Sequence, residues 1–173
     1  PEELINSFNL DKSDDRYINR INALKESNFN TEIIENGVEQ AIDVIDKKQG
    51  NSFVIYGEPQ SGKTELMIAL TCKLLDKGFK TIFILVNDNT ELESQNFYRF
   101  INAQQLDPAP KKESHYIGLP ISQLKRDTKR VIFCRKNKNL MENMIINARF
   151  FTDRVVIDDE ADYATPDSNI NKK

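Results

Sequence analysis

Residues 53–64 read Phe53-Val54-Ile55-Tyr56-Gly57-Glu58-Pro59-Gln60-Ser61-Gly62-Lys63-Thr64. Four β-branched or aromatic residues bounded by turn formers (Gln49-Gly50-Asn51 before, Gly57 after) predict a buried strand. The loop Gly57–Thr64 that follows fits G-x-x-x-x-G-K-[ST]. A polyphosphate carries several negative charges and is held by backbone N–H groups turned toward it. Glycines allow that turn, because a side chain would block the approach or forbid the dihedrals. The next helix, read over 65–77 and stopped by Gly78, points its positive end at the same anion. In that arrangement Lys63 bridges the β- and γ-phosphates and the Thr64 hydroxyl helps to hold Mg²⁺. At average composition a match arises by chance in roughly one chain of this length per hundred. Its position between an apolar strand and an amphipathic helix is where the mechanism needs it.

Outward from this loop, the chain alternates strands and helices. Tyr17, Ile18, Ile21 and Leu24 have helical spacing and predict a short helix over 14–26. Thr31 is placed to cap a second helix, whose apolar face comprises Ile33, Ile34, Val38, Ala41, Ile42 and Ile45. Downstream lie a strand at 81–86, a helix at 90–103 and a proline-containing loop over 104–115. A short strand at Tyr116-Ile117 and a helical turn at 121–125 come next. A strand at 131–134, a helix over 138–149 and a strand at 154–158 complete the pattern. Strands alternating with helices predict an α/β domain with a mostly parallel sheet covered on both faces. The expected divisions are an irregular, partly helical segment over 1–30, an α/β lobe over 31–168 and a polar tail over 169–173.

The strand at 154–158 runs into Asp158-Asp159-Glu160-Ala161-Asp162. Acids in a row at a strand end repel one another unless a cation arrives, and ligands of such sheets bind at the C-terminal edge of the strands. Asp159 is the expected Mg²⁺ ligand, Asp158 a possible sharer of that role, and Glu160 the group that positions or deprotonates attacking water. A solvated acidic turn is the alternative; the phosphate loop about 95 residues upstream weighs against it.

The 173 residues are 39% apolar and 29% charged, with a net charge of −3. That balance excludes collagen-like and wholly disordered chains. No apolar run approaches the roughly 20 residues of a membrane span, and no basic-then-apolar leader opens the sequence. Two cysteines without CxxC spacing, Cys72 and Cys134, read as core in a reducing cytoplasm. One histidine, His115, excludes chemistry that needs two and reads as a loop residue. The polar end and the Pro1 start read as an excised piece of a longer protein.

Charge is unevenly spread. Residues 1–110 carry 11 Lys+Arg against 18 Asp+Glu, whereas residues 111–154 carry 11 against 4. Lys111, Lys112, Lys125, Arg126, Lys129, Arg130, Arg135, Lys136 and Lys138 make up the basic stretch. Cationic side chains on one surface release counterions from phosphates and give salt-dependent, sequence-independent nucleic-acid binding, with Tyr116 as a stacking candidate. A solvated charged face is the alternative, and Arg135 and Lys136 have a second alternative in a partner lobe.

Gly57–Thr64 together with Asp159-Glu160-Ala161-Asp162 resembles motifs I and II of superfamily-two helicases and translocases, the DEAD-like group. A closer resemblance is to the Z-one domain family of ATPases associated with restriction endonucleases. It is carried by Gln60–Thr64, by Arg135-Lys136-Asn137 with Leu140, and by Ile157–Asp162. The resemblance spans residues 33–168. It implies a three-layer RecA-like P-loop lobe, the first of two, binding ATP and Mg²⁺ and acting on DNA, double-stranded in the expected case, as part of a restriction-modification or defence enzyme in which a nuclease module is a candidate partner. Gln40, 23 residues before Lys63, matches the spacing of the adenine-reading glutamine; an exposed helix glutamine is the alternative. The segment from Asn87 to Arg99 falls where motif Ia touches the nucleic-acid backbone, and Asp162 would relay nucleotide state. Two other functions remain open: an NTP-dependent regulatory switch that never translocates, and a small-molecule kinase. A motor requires the basic residues on the face of the Asn87–Arg99 segment, whereas a switch leaves them scattered.

Overall fold

The computed structural model describes residues 15–47, 52–55, 62–120, 124 and 128–159. Along them run α1 (Arg16–Glu26), α2 (Glu32–Asp46), α3 (Lys63–Asp76), β1 (Thr81–Val86), α4 (Thr90–Asn102), β2 (Lys111–Lys112), a 3-10 turn at Glu113–His115, β3 (Arg130–Arg135), α5 (Lys138–Ala148) and β4 (Arg154–Asp158). They fall into two compact units, one drawn from residues 1–78 and 105–107, the other from 79–104 and 108–173.

The first unit is helical. Helix α1 buries Ile21 and Leu24; α2 buries Ile34, Val38 and Ala41; α3 buries Ile68, Ala69, Cys72, Leu74 and Leu75. Asp76, at the end of α3, serves the start of α1: its carboxylate accepts the Tyr17 N–H at 2.9 Å and pairs with the buried Arg16 at 3.1 Å. An acid there meets both the helix dipole and an otherwise orphaned N–H. Arg16 Nε also donates to the Asp107 carbonyl at 2.6 Å. Arg20 pairs with Glu65 in the first turn of α3. Thr31 does not cap α2 with its side chain. Asn30 Oδ1 accepts the Glu32 N–H at 3.1 Å, while the Thr31 hydroxyl donates to Glu35 Oε1 at 2.5 Å. Helix α3 begins at Lys63, two residues earlier than its apolar pattern, and ends as expected: Gly78, at φ +94°, donates its N–H to the Leu75 carbonyl.

The second unit is α/β. Its four strands are all parallel, in the order β2-β3-β1-β4. Residues paired across parallel strands share a face, so the register Phe83↔Ile132 and Phe83↔Val156 defines one side and Ile84↔Phe133 and Ile84↔Ile157 the other. Met144 of α5 covers the first side, in a cluster with Phe83, Tyr116, Leu124, Ile132, Cys134 and Phe151. Helix α4 covers the second, where Phe97 and Phe100 meet the Phe133 ring edge-on at 5.3 and 4.8 Å. Such pairs add roughly 0.5–1.5 kcal/mol to the burial each ring already contributes. Three layers result, as the alternating pattern requires.

Three expectations are corrected here. Residues 53–55 form no strand and stand exposed, Val54 at 85%; Tyr56 lies outside the described residues. Apolar, β-branched composition favours a pleated, half-buried surface, but a strand exists only where a neighbour takes its hydrogen bonds. Residues 53–55 have no bridge partner among the described residues. Tyr116 and Ile117 form a turn rather than a strand, and the neighbouring strand is instead Lys111-Lys112. Strand β4 alternates between half-buried and exposed residues instead of being buried throughout, with Val156 57% exposed, because it is the outer strand of the described sheet. Among the described residues no helix is long and apolar enough to cross a membrane.

Candidate functional site

Of the phosphate loop, Gly57, Glu58, Pro59, Gln60 and Ser61 lie outside the described residues, and Gly62, Lys63 and Thr64 lie within them. Gly62 precedes the first turn of α3 at φ +83°, a left-handed conformation that an L side chain resists. Its carbonyl accepts the Leu66 N–H at 3.0 Å, and a Cβ built on it would stand 3.4 Å from the Phe29 ring. Lys63 opens the helix, exposed; Thr64 follows, half-buried. A turn that only glycine enters readily, leading straight into a helix N-terminus beside an exposed lysine, is the geometry in which orphan N–H groups face an anion. Gln40 is exposed on α2.

The acidic strand end sits at the C-terminal edge of the sheet, where β1, β3 and β4 finish together. The Asp159 N–H extends the β4 ladder to the Leu85 carbonyl at 2.9 Å, and the Lys136 N–H extends β3 to Val86 at 2.9 Å. This register brings Lys136 onto the acids. Its ammonium lies 2.7 Å from Asp158 Oδ1 and donates to the Asp159 carbonyl at 2.5 Å, with only 7% of the side chain exposed. Asn96 of α4 donates to Asp159 Oδ2 at 3.3 Å. Glu160 and Asp162 lie outside the described residues. The repulsion expected along the acidic run is thus relieved at Asp158 by a side chain 22 residues upstream.

Next to this, Arg135 stands among three carboxylates, 3.8 Å from Asp88 Oδ1, 3.9 Å from Glu93 Oε2 and 3.7 Å from Glu113 Oε1. Glu93 and Glu113 are both buried; Lys112 Nζ reaches Glu93 Oε1 at 2.8 Å. Burial pushes the Glu113 carboxyl above the ordinary carboxylate value, and the charge of Glu93 adds to it. A bond to its own backbone and the cations Arg135 and Lys112 pull the other way. Asn137 closes the edge, capping α5 through the Asn139 and Leu140 N–H groups and donating to Asp88 at 2.9 Å.

The remaining members of the basic stretch are elsewhere. Lys125 and Arg126 lie outside the described residues. Lys129 precedes β3 and Arg130 opens it, buried, at the N-terminal edge of the sheet. Asn87 follows β1, half-buried, and Arg99 is exposed on α4. Arg130 and Arg135 are five residues apart on one strand, so they point to opposite faces and stand about 16 Å apart. The carboxylates that hold Arg135 and Lys136 could have been anticipated from topology alone. In a parallel sheet, the residues after β1, the ends of β3 and β4 and the first turn of α4 all gather at one edge.

Comparison with family models, with curated proteins and with solved structures gives no match. Among the described residues no group of three His, Cys, Asp or Glu side chains is placed to hold a metal ion.

Proposed function

We propose that this chain is the nucleotide-binding lobe of an ATP-hydrolysing motor that acts on DNA, of the superfamily-two kind and nearest to the Z-one ATPases. The observation that carries the reading is Gly62, in a left-handed conformation directly before α3 with Lys63 exposed at the first helical position. Lys63 would neutralise the triphosphate. A hydroxyl at Thr64 and a carboxylate at Asp159 are hard oxygen donors of the type Mg²⁺ prefers, and Mg²⁺ when bound supplies charge neutralisation at the phosphates. Glu160 would hold the attacking water as acceptor of its proton. The ordered C-terminal edge, with Lys136 holding Asp158, supports this reading by fixing the residues from which the acidic motif continues.

The placement of the basic residues favours a second reading, an NTP-dependent switch. Arg135 and Lys136 share an edge with Asn87 but are engaged by acids, while Lys129 and Arg130 belong to the opposite edge. Steady-state ATP hydrolysis with and without double-stranded DNA, with Lys63→Ala as the blank, separates the two. Stimulation that weakens as salt rises supports the motor; lysine-dependent hydrolysis indifferent to DNA supports the switch. Hydrolysis that survives Lys63→Ala unchanged overturns both.

A further inference from the structure

Three glycines among the described residues have a left-handed φ: Gly62, Gly78 and Gly118. At Gly78 and Gly118 the space a Cβ would take is open. At Gly62 it is met by one side chain, the ring of Phe29, with Cζ at 3.4 Å and Cε1 at 3.9 Å. Both residues belong to the helical unit. We infer that Phe29 is a positioning residue of the nucleotide site: its ring holds the Gly62 turn so that the first N–H groups of α3 face the phosphates. The inference rests on the nucleotide reading of Gly62–Thr64.

The backbone fixes where the ring stands. Helix α1 ends in a left-handed residue, Asn28 at φ +57°. The Asn28 N–H donates to the Lys25 carbonyl at 3.0 Å, and the Phe29 N–H reaches back to the Leu24 carbonyl at 3.0 Å. These are the two bonds that close a helix end around a left-handed residue, and they leave the next side chain little freedom of direction. An apolar residue at that place commonly covers the last turn of its own helix. The rim of Phe29 goes further and reaches Gly62, 33 residues on, while 40% of the residue remains exposed. A ring that served the core alone would not be left so far in water.

Chemistry gives the contact its use. The atoms turned toward Gly62 are on the ring's rim, where the aromatic quadrupole is positive, so an anion on this side is not opposed. An apolar ring beside the turn also keeps water from its backbone, which strengthens the attraction between orphan N–H groups and a phosphate. Beyond the turn, the Gly62 carbonyl accepts the Leu66 N–H at 3.0 Å. The Leu66 amide therefore reports whether the turn is held.

The test compares wild type with Phe29→Ala and Phe29→Leu, with Lys63→Ala as the blank. Binding of Mg²⁺·ATP and of Mg²⁺·tripolyphosphate is read by equilibrium dialysis, hydrogen exchange at the Leu66 amide by NMR, and folding by urea midpoint. Phe29→Ala is expected to weaken both probes alike, by about tenfold, the value of one N–H aligned on a charged group, and to speed exchange at Leu66. Phe29→Leu keeps an apolar side chain at the end of α1 but withdraws the rim. It is expected to weaken both probes at a wild-type midpoint, and it carries the test if the alanine variant does not fold. Unchanged affinity in either folded variant, or unchanged exchange at Leu66, overturns the inference. Weakened ATP with unchanged tripolyphosphate overturns it too, since the ring then touches the base or ribose instead of holding the turn. Wild type that binds neither probe better than Lys63→Ala removes the nucleotide reading and this inference together, an outcome distinct from variants that match a wild type that binds.

Discussion

Lys136→Met tests whether the C-terminal edge is held by an ion pair rather than offered to a polyanion. The Lys136 ammonium makes two short contacts, 2.7 Å to Asp158 and 2.5 Å to the Asp159 carbonyl, and is nearly enclosed. Breaking one partner of a fully buried pair costs about 3–5 kcal/mol. Asp158 is 35% exposed, so water takes over part of what the ammonium supplied, and the expected loss is about 2–3 kcal/mol. Asp158→Asn is expected to cost about 1.5–2 kcal/mol by the same reasoning. Because each variant removes the same contact, the double variant should be destabilised by less than the sum, with a coupling of about 1–2 kcal/mol. Urea unfolding followed by circular dichroism and tyrosine fluorescence measures it; the chain has no tryptophan. Coupling below about 0.3 kcal/mol, the level of independent sites, would refute the pair. A second refutation comes from DNA. If the salt dependence of DNA binding falls by about one unit in Lys136→Met, the ammonium is a phosphate contact and its engagement by Asp158 gives way on binding.

Gly62→Ala places a side chain at φ +83° and within 3.4 Å of Phe29, and is expected to cost about 1–2 kcal/mol in urea unfolding; an unchanged midpoint would contradict the left-handed turn. Glu113 binds its proton more tightly folded than unfolded, so the folded state carries more protons and stability falls as pH rises from about 4.3 upward. Glu113→Gln should flatten that slope, and a slope unchanged by the substitution excludes Glu113 as its source. Burial pushes the thiols of Cys72 and Cys134 up to about 12, so a thiol reagent at neutral pH should leave both intact in the native protein and label both in urea. Glu160→Gln is expected to retain nucleotide binding, read by equilibrium dialysis, while stopping turnover; wild-type turnover removes Glu160 from its assigned role.

The parallel sheet was legible where the physics is local. Strands β1 and β3 are continuous apolar runs because both faces are covered, and Gly78 ends α3 for a reason visible in one residue. What failed depended on neighbours. Val155-Val156-Ile157 resembles the other runs in composition, but an outer strand leaves Val156 in water. Phe53-Val54-Ile55 has every strand preference and no partner among the described residues, whereas Lys111-Lys112 has no apolar residue and pairs with Ile132 and Phe133. The site divided the same way. Gly62 was legible because its requirement is a dihedral angle of its own backbone. The engagement of Arg135 by Glu93 and Glu113 was not, since those partners are 42 and 22 residues away in sequence and meet it only through strand order.

That strand order also changes what a run of basic residues means. Along an extended strand the side-chain period is two, so charges an odd number of positions apart face opposite layers. Arg130 and Arg135 are separated by five, which sends one toward Phe151 on the α5 side and the other toward Glu93 on the α4 side. A dense basic stretch in sequence therefore becomes two separate electrostatic environments. One is compensated by buried acids at the edge where the acidic motif begins; the other lies at the opposite edge, where Arg130 donates to the Thr128 carbonyl and stacks over the Phe151 ring. A nucleic-acid track needs cations that face solvent, and Arg130, which is buried, and Arg135 and Lys136, which are held by acids, do not meet that condition. A motor reading accordingly has to draw its DNA contacts from exposed positions such as Arg99 and Lys138, and charge-reversal at those two residues is where salt-dependent DNA binding should respond most.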